Sequence, residues 1–247
     1  MIIDLAIFLI GFLGAFLGSM AGGYGLFVVP LLLLVGIPPH IALGLLNLGG
    51  VGNKLSQAIQ FSKFKNMGVS NRDVLILTLI AVPATFIGAL FVVQVDPDKL
   101  SKLTGVVLLV ILPLLFINKD LGIKEKRATG KKRWLAHILF FFSRVWTGFF
   151  SPGSGVIEAY IKMRFYGYTI LQGKAVTRIA HIIADTIAAT VFIAAGFYNI
   201  KYTILIFVGM FLGGWFGIAF ALKKGDAWLK PLVGLIVLIT GVKMLFF

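Results

Sequence analysis

The sequence contains no cysteine. That excludes disulfides, thiolate metal sites and any mechanism that carries sulfur on a protein thiol. Charge is also scarce: 13% of the 247 residues are Asp, Glu, Lys or Arg, about half the share of an ordinary soluble domain. Acidic charge is scarcest, with 9 Asp and Glu against 23 Lys and Arg and a formal net charge of +14. In a soluble protein that excess would point to nucleic acid. Here the basic residues fall mostly between apolar runs, the pattern that orients a membrane protein, so no nucleic-acid partner is expected. What the chain has in abundance is apolar surface: 59% of residues are hydrophobic and the mean hydropathy is +1.01. A water-soluble fold cannot bury so much, which excludes a cytosolic enzyme or a soluble binding module. The 23 Phe residues read as packing and lipid-facing surface, and membrane lipid is the expected surrounding partner.

A helix needs about 20 apolar residues to cross the hydrocarbon core. The first run, residues 2–17, carries Asp4 and no basic flank, so it reads as a structural span and not as a cleavable signal. A glycine-rich break follows, Gly18-Ser19-Met20-Ala21-Gly22-Gly23-Tyr24-Gly25, then a short run, 26–35, that stops at Gly36-Ile37-Pro38-Pro39. Segment 40–61 is interrupted by Asn47, Asn53, Lys54 and Gln57. Two clean spans, 74–93 and 100–117, flank a turn with Asp96, Pro97 and Asp98. Residues 118–133 are polar and hold 7 Lys and Arg. The pattern then restarts with 134–150, a second break at Ser151-Pro152-Gly153-Ser154-Gly155, a short helix over 156–166, a long segment over 170–195, and spans over 202–222 and 229–247. The expected fold is an all-α integral membrane protein with roughly 8 full spans plus the glycine-rich breaks, up to about 10 hydrophobic helices.

The two halves look alike. Gly18, Gly23 and Gly25 fall opposite Gly148, Gly153 and Gly155 at one constant offset, and Leu100, Leu103, Gly105 and Leu109 pair with Leu229, Leu232, Gly234 and Leu238. The domains expected are a repeat over 1–118, a basic linker over 119–133, and a second repeat over 134–247. Basic residues place the 62–73 loop and the linker in the cytoplasm and the Asp96–Asp98 turn outside. Lys223 and Lys224 place inside the turn that corresponds to that external one. The repeats are therefore expected to be inverted, as in many secondary transporters, with both termini external. Each break is either a surface turn or the tip of a re-entrant hairpin.

Candidate chemistry lies in the breaks and in the polar-interrupted helices. A helix restarting after a glycine break offers unpaired N–H groups and a positive dipole end, which suit an anion. Ser19, Gly22, Gly23, Ser151, Gly153 and Ser154 are candidate binding residues there, whereas Gly11, Gly14 and Gly18 read as helix-packing glycines. Arg178, His181 and Asp185 lie at i, i+3 and i+7, on one helix face. Ionisable groups inside a span are costly and usually face a wet interior. Arg178 would attract an anion, with Asn47, Asn53 and Gln57 as neutral donors. His181 and Asp185 would carry a coupled proton. A structural ion pair of Asp185 with Arg178 or Lys54 is the alternative. Arg144 needs a buried partner, Glu158 or Asp185, and Glu158 itself reads as a cap on the short helix. His40 and His137, near span ends, read as interfacial. No cofactor or metal is expected.

These residues resemble the TauE/SafE family of sulfite and organosulfonate exporters. The resemblance is carried by the first break, by Val29-Pro30-Leu31-Leu32-Leu33, Gly36-Ile37-Pro38-Pro39 and Ala42-Leu43-Gly44, and by Gly148-Phe149-Phe150-Ser151-Pro152-Gly153-Ser154-Gly155, and it covers essentially the whole chain. It implies export across the cell membrane of a small sulfur-containing anion (sulfite, a sulfonate or thiosulfate), driven by an ion gradient. The expected mechanism is alternating access by rocking of the two halves. The alternatives are a passive anion channel and a non-transporting accessory subunit. An enzyme is not expected, because Arg178, His181 and Asp185 are the single candidate cluster and lack a second nearby His for a metal.

Overall fold

The computed structural model describes residues 2–21, 23–61, 68–111 and 130–224. Gly22, most of the expected linker and the expected span over 229–247 lie outside the described residues. Those described form helices and their connections, with no strand among them. In chain order the helices are α1 (Ile2–Ala21), α2 (Gly25–Leu34), α3 (Pro39–Phe61), α4 (Asn71–Val92) and α5 (Pro97–Ile111), then α6 (Gly130–Phe149), α7 (Ser154–Ile161), α8 (Ile170–Ala194) and α9 (Ile200–Lys224). Four of them contain stretches long and apolar enough to cross a membrane: Ile2–Ser19, Asn71–Val92, Gln172–Ala194 and Ile200–Phe220. Their outer faces carry apolar stripes at helical spacing, such as Leu5, Leu9 and Leu13 on α1 and Ile200, Ile204 and Val208 on α9, all exposed. That is the surface a bilayer covers.

Local chemistry sets the helix ends. Ser70 caps α4 by accepting from the Arg72 N–H at 3.2 Å. Asp96 caps α5 through the N–H groups of Asp98 and Lys99 at 3.0 and 3.2 Å, and Pro97, lacking an N–H, opens it. Thr169 and Gln172 form a reciprocal capping box on α8. Gly36 and Gly196 have left-handed φ values of 87° and 80° and close α2 and α8 alike. Gly36 N–H and Ile37 N–H donate to Leu33 and Leu32, and Gly196 N–H and Phe197 N–H donate to Ile193 and Phe192, the Schellman pattern. Of the expected linker, Lys131, Lys132 and Arg133 form the first turn of α6. The expected helix over 156–166 is two elements, α7 and a π-helical turn, Lys162–Tyr166.

Helix packing exchanges partners between the halves. α9 packs on α1 and α3, and α4 packs on α6 and α8, while α3 crosses α8 near the centre. Small residues make these crossings tight, as bilayer packing favours. A Cβ at Gly209, Gly213 or Gly217 would run into the main-chain carbonyls of Phe8, Phe12 and Phe16. On the other side, Gly88 faces the Val145 carbonyl and Gly148 the Thr85 carbonyl. Gly11 and Gly14 are likewise filled by Ile206 and Val28, the packing role expected of them.

α4 is about 33 Å long for its 22 residues. At its C-terminal end, the Val92 carbonyl meets His40 Nε2 of α3 at 3.1 Å, and the His40 ring stacks on Phe197, 4.4 Å between centroids. His40, expected at an interface, is therefore buried, because this stacking and hydrogen bond enclose it. Lys201, just beyond Phe197, pairs with Asp4 of α1 at 2.8 Å. So α1 starts and α2 ends at the same end of the molecule. At the N-terminal end of α4, Asp73 pairs with Arg133 of α6 and accepts from Tyr168 OH. His137 Nδ1 and Tyr166 OH lie 2.7 Å apart on that side. So α6 starts at that opposite end, and the chain returns to it after α7. Both breaks are hairpin tips, entering from opposite ends.

Candidate functional site

The two tips touch. A Cβ on Gly25 would sit 3.3 Å from the Pro152 main chain and the Ser151 carbonyl, and one on Gly23 would sit 3.6 Å from Gly155 Cα. At Gly25 a side chain would crowd the opposite backbone, whereas at Gly23 it would make an ordinary contact. The second tip bends through Ser151 and Gly153, with φ values of 59° and 76°. Neither α2 nor α7 has a side-chain cap: their N-cap residues, Tyr24 and Gly153, make no cap hydrogen bond. The positive ends of both short helices thus lie where the two tips meet, with no side chain capping either one.

A cavity of about 120 Å³ lies at this meeting point, walled by both tips, α3, α6 and α8. Its side chains include Lys54, Arg144, Lys162, Lys174 and Arg178 against Glu158 and Asp185, with His181 beside them. Five cations thus surround two carboxylates. Arg144, 2% exposed, is the hub. Its Nη1 donates to Glu158 Oε2 at 3.3 Å, its Nη2 to Asp185 Oδ1 at 3.2 Å, and its Nε to Thr85 Oγ1 at 3.2 Å. Glu158 Oε1 also takes Lys162 Nζ at 2.8 Å and His181 Nε2 at 2.7 Å. Lys162 donates on to Thr177. Tyr24 OH donates to Asp185 Oδ2 at 3.2 Å, and Lys54 Nζ stands 5.0 Å above the Tyr24 ring. Lys174 Nζ donates to the Ser19 carbonyl at 3.1 Å.

The expected site residues divide. Ser19, Gly23, Asn47, Gln57, Ser151, Ser154, Arg178, His181 and Asp185 all line the cavity. Asn53 and Gly153 are absent from its wall. Asn53 is fully buried and ties α3 to its neighbours, donating to Ser19 Oγ and the Met210 carbonyl, both at 3.4 Å, and accepting from Gln57. Gly153 turns the chain into α7. Several donors are engaged locally: Asn47 with the Leu43 carbonyl, Ser151 with Thr147, Ser154 with Ser151. Asp185 is paired with Arg144, one of the two partners Arg144 needed, and not with Arg178 or Lys54. Glu158 holds Arg144, Lys162 and His181 instead of merely capping α7, because all three side chains converge on it. Tyr24, Lys162 and Lys174 were not singled out from sequence. The i, i+4 spacings of Glu158 with Lys162 and of Lys174 with Arg178 were the available signal.

A larger depression, about 490 Å³ between α4 and α6, is lined by Phe91, Val95, Phe142, Trp146 and Phe149. It presents no charge.

The model of the family "Sulfite exporter TauE/SafE" matches residues 7–244. The chain belongs to this family. Its relatives include the "Probable membrane transporter protein" of Haemophilus influenzae, 25% identical over 97% of this chain and 93% of the relative. YfcA of Escherichia coli K12, also named a probable membrane transporter protein, is 24% identical over 97% of this chain and 88% of its own length. YdhB of Bacillus subtilis, named likewise, is 28% identical over the full length of both chains. No solved structure matches significantly. Membership of the TauE/SafE family makes the chain a multi-pass membrane transporter, in accord with the four span-length apolar helices among its described residues.

Proposed function

We propose that this TauE/SafE protein is a secondary transporter that exports a small sulfur-containing anion (sulfite, a sulfonate or thiosulfate) by alternating access coupled to an ion gradient. The observation that carries the reading is the cationic excess in a small cavity where two uncapped helix ends meet. Such a site attracts an oxyanion through backbone dipoles and side-chain charge together. Gly22, Gly23, Ser19, Ser151 and Ser154 supply donors at the tips, Asn47 and Gln57 add neutral groups from α3, and Arg178 balances charge. Asn53 and Gly153 hold the frame. His181 and Asp185 carry the coupled proton, His181 through its contact with Glu158.

The inverted-repeat reading is supported by matching packing. α1 with α9 corresponds to α6 with α4, α3 with α9 to α8 with α4, and α1 with α2 to α6 with α7. Even the end ion pairs correspond, Asp4 with Lys201 and Arg133 with Asp73. The moving bodies are then not the two sequence halves. One comprises α1, α2, α3 and α9, the other α4, α6, α7 and α8, and the cargo sits between them. Both termini are external, which puts the Asp4–Lys201 pair outside and the Asp73–Arg133 pair inside.

The test is flux in liposomes containing the purified protein, with sulfite, thiosulfate, a small sulfonate and sulfate, each with and without a pH gradient. Uphill movement of a sulfur anion driven by the gradient is the expected result. Flux that only relaxes the anion gradient would convert the carrier into a channel. No flux of any of them by folded protein would overturn the substrate assignment.

A further inference from the structure

We infer that the cavity selects doubly charged oxyanions, and that Lys54 sets this selection together with Arg178. The inference rests on the transport reading and adds the charge class of the cargo.

The carboxylates of the cavity are all committed. Glu158 shares its oxygens among Arg144, Lys162 and His181. Asp185 gives one oxygen to Arg144 and the other to Tyr24. An ammonium group entering the cavity therefore meets no available counter-charge. The cations are not all committed. Arg144 and Lys162 are held by the carboxylates, and Lys174 donates to the Ser19 carbonyl. Lys54 and Arg178 line the same space and have no acidic partner among the described residues. Lys54 rests instead over the Tyr24 ring, at cation–π distance, and that ring is fixed by the hydrogen bond to Asp185. The ring face attracts the ammonium but carries no formal negative charge to neutralise it.

Lys54 comes from α3 and Arg178 from α8, so the two charges reach the cavity from the two packed groups of helices. A cavity of about 120 Å³ admits a small oxyanion such as sulfite or thiosulfate. With five cations against two carboxylates around it, the cavity favours a ligand with two negative charges over one with a single charge. A monoanion neutralises less of that excess, and an aminosulfonate adds a positive charge to it.

The experiment uses the full-length protein in liposomes and the uptake of radiolabelled sulfite and thiosulfate, at a pH where sulfite carries two charges. Unlabelled sulfite, methanesulfonate and taurine compete. Sulfite is expected to compete at least about tenfold better than methanesulfonate, about 1.4 kcal/mol, and taurine hardly at all. In Lys54→Met the sulfite-to-methanesulfonate ratio is expected to fall toward one, and in Lys54→Arg to persist. Methanesulfonate or taurine competing as well as sulfite against the unaltered protein would overturn the inference, as would an unchanged ratio in Lys54→Met. If Lys54→Met does not fold, the ratios of the unaltered protein and of Lys54→Arg decide. Folded protein that neither binds nor moves any of these anions would overturn the transport reading itself, a separate outcome from movement without charge preference.

Discussion

Arg144 offers a decisive test of the buried network, because its two carboxylate partners differ in what else holds them. Replacing it by Met leaves two acids in a low-dielectric interior, and breaking a buried ion pair costs about 3–5 kcal/mol. Glu158 then still has Lys162 at 2.8 Å and His181 at 2.7 Å. Asp185 keeps only the Tyr24 hydroxyl at 3.2 Å. The stranded charge is therefore on Asp185. Adding Asp185→Asn to Arg144→Met is expected to restore about 2 kcal/mol, within the range of direct coupling energies. For a chain of this length that is about 4–8 °C in Tm. Adding Glu158→Gln instead is expected to lower stability further, because Lys162 would be left with Thr177 alone. Thermal unfolding in detergent, followed by loss of the monodisperse size-exclusion peak, measures all three variants. The reasoning fails if Asp185→Asn gives no recovery, or if Glu158→Gln rescues as well.

Two further outcomes follow from packing and orientation. Gly148→Ala drives a Cβ into the Thr85 main-chain carbonyl and is expected to lower stability by about 2 kcal/mol or more, whereas Gly36→Ala meets nothing within 4 Å and costs only its left-handed backbone, about 1 kcal/mol; comparison of their Tm values checks the order. The chain has no native cysteine, so single cysteines report topology without background. An impermeant maleimide on intact cells is expected to label Lys99→Cys at once and Asn71→Cys only after permeabilisation, and the reverse pattern would invert the assigned orientation.

The helices were legible because bilayer chemistry writes them strongly. A run of apolar residues bounded by Gly36-Ile37-Pro38-Pro39 can only end near there, and α2 does end at Leu34. The region between Asp96 and Leu100 is a turn into a helix because Asp96 and Pro97 satisfy or avoid the first N–H groups. The site was half legible. Arg178, His181 and Asp185 share one face of α8, as their spacing requires, and all three reach the cavity. Their partners were not legible. Asp185 meets Arg144 across 41 residues and Tyr24 across 161, and no local periodicity encodes contacts so distant.

By itself the sequence determined that the chain must live in a bilayer, where α2 ends and α5 begins, and that polar groups interrupt α3 and α8. These follow from composition and from spacing within single helices. The tertiary structure alone decided that both breaks are hairpin tips, that α4 and α9 pack against the opposite half, and that Arg144 and Glu158 rather than Arg178 sit at the centre of the charge network. The physical reason is that lipid solvates every apolar helix face almost equally. Which faces meet is set by glycine-permitted backbone approach and by pairing of buried charge, and both depend on residues brought together only in the folded chain.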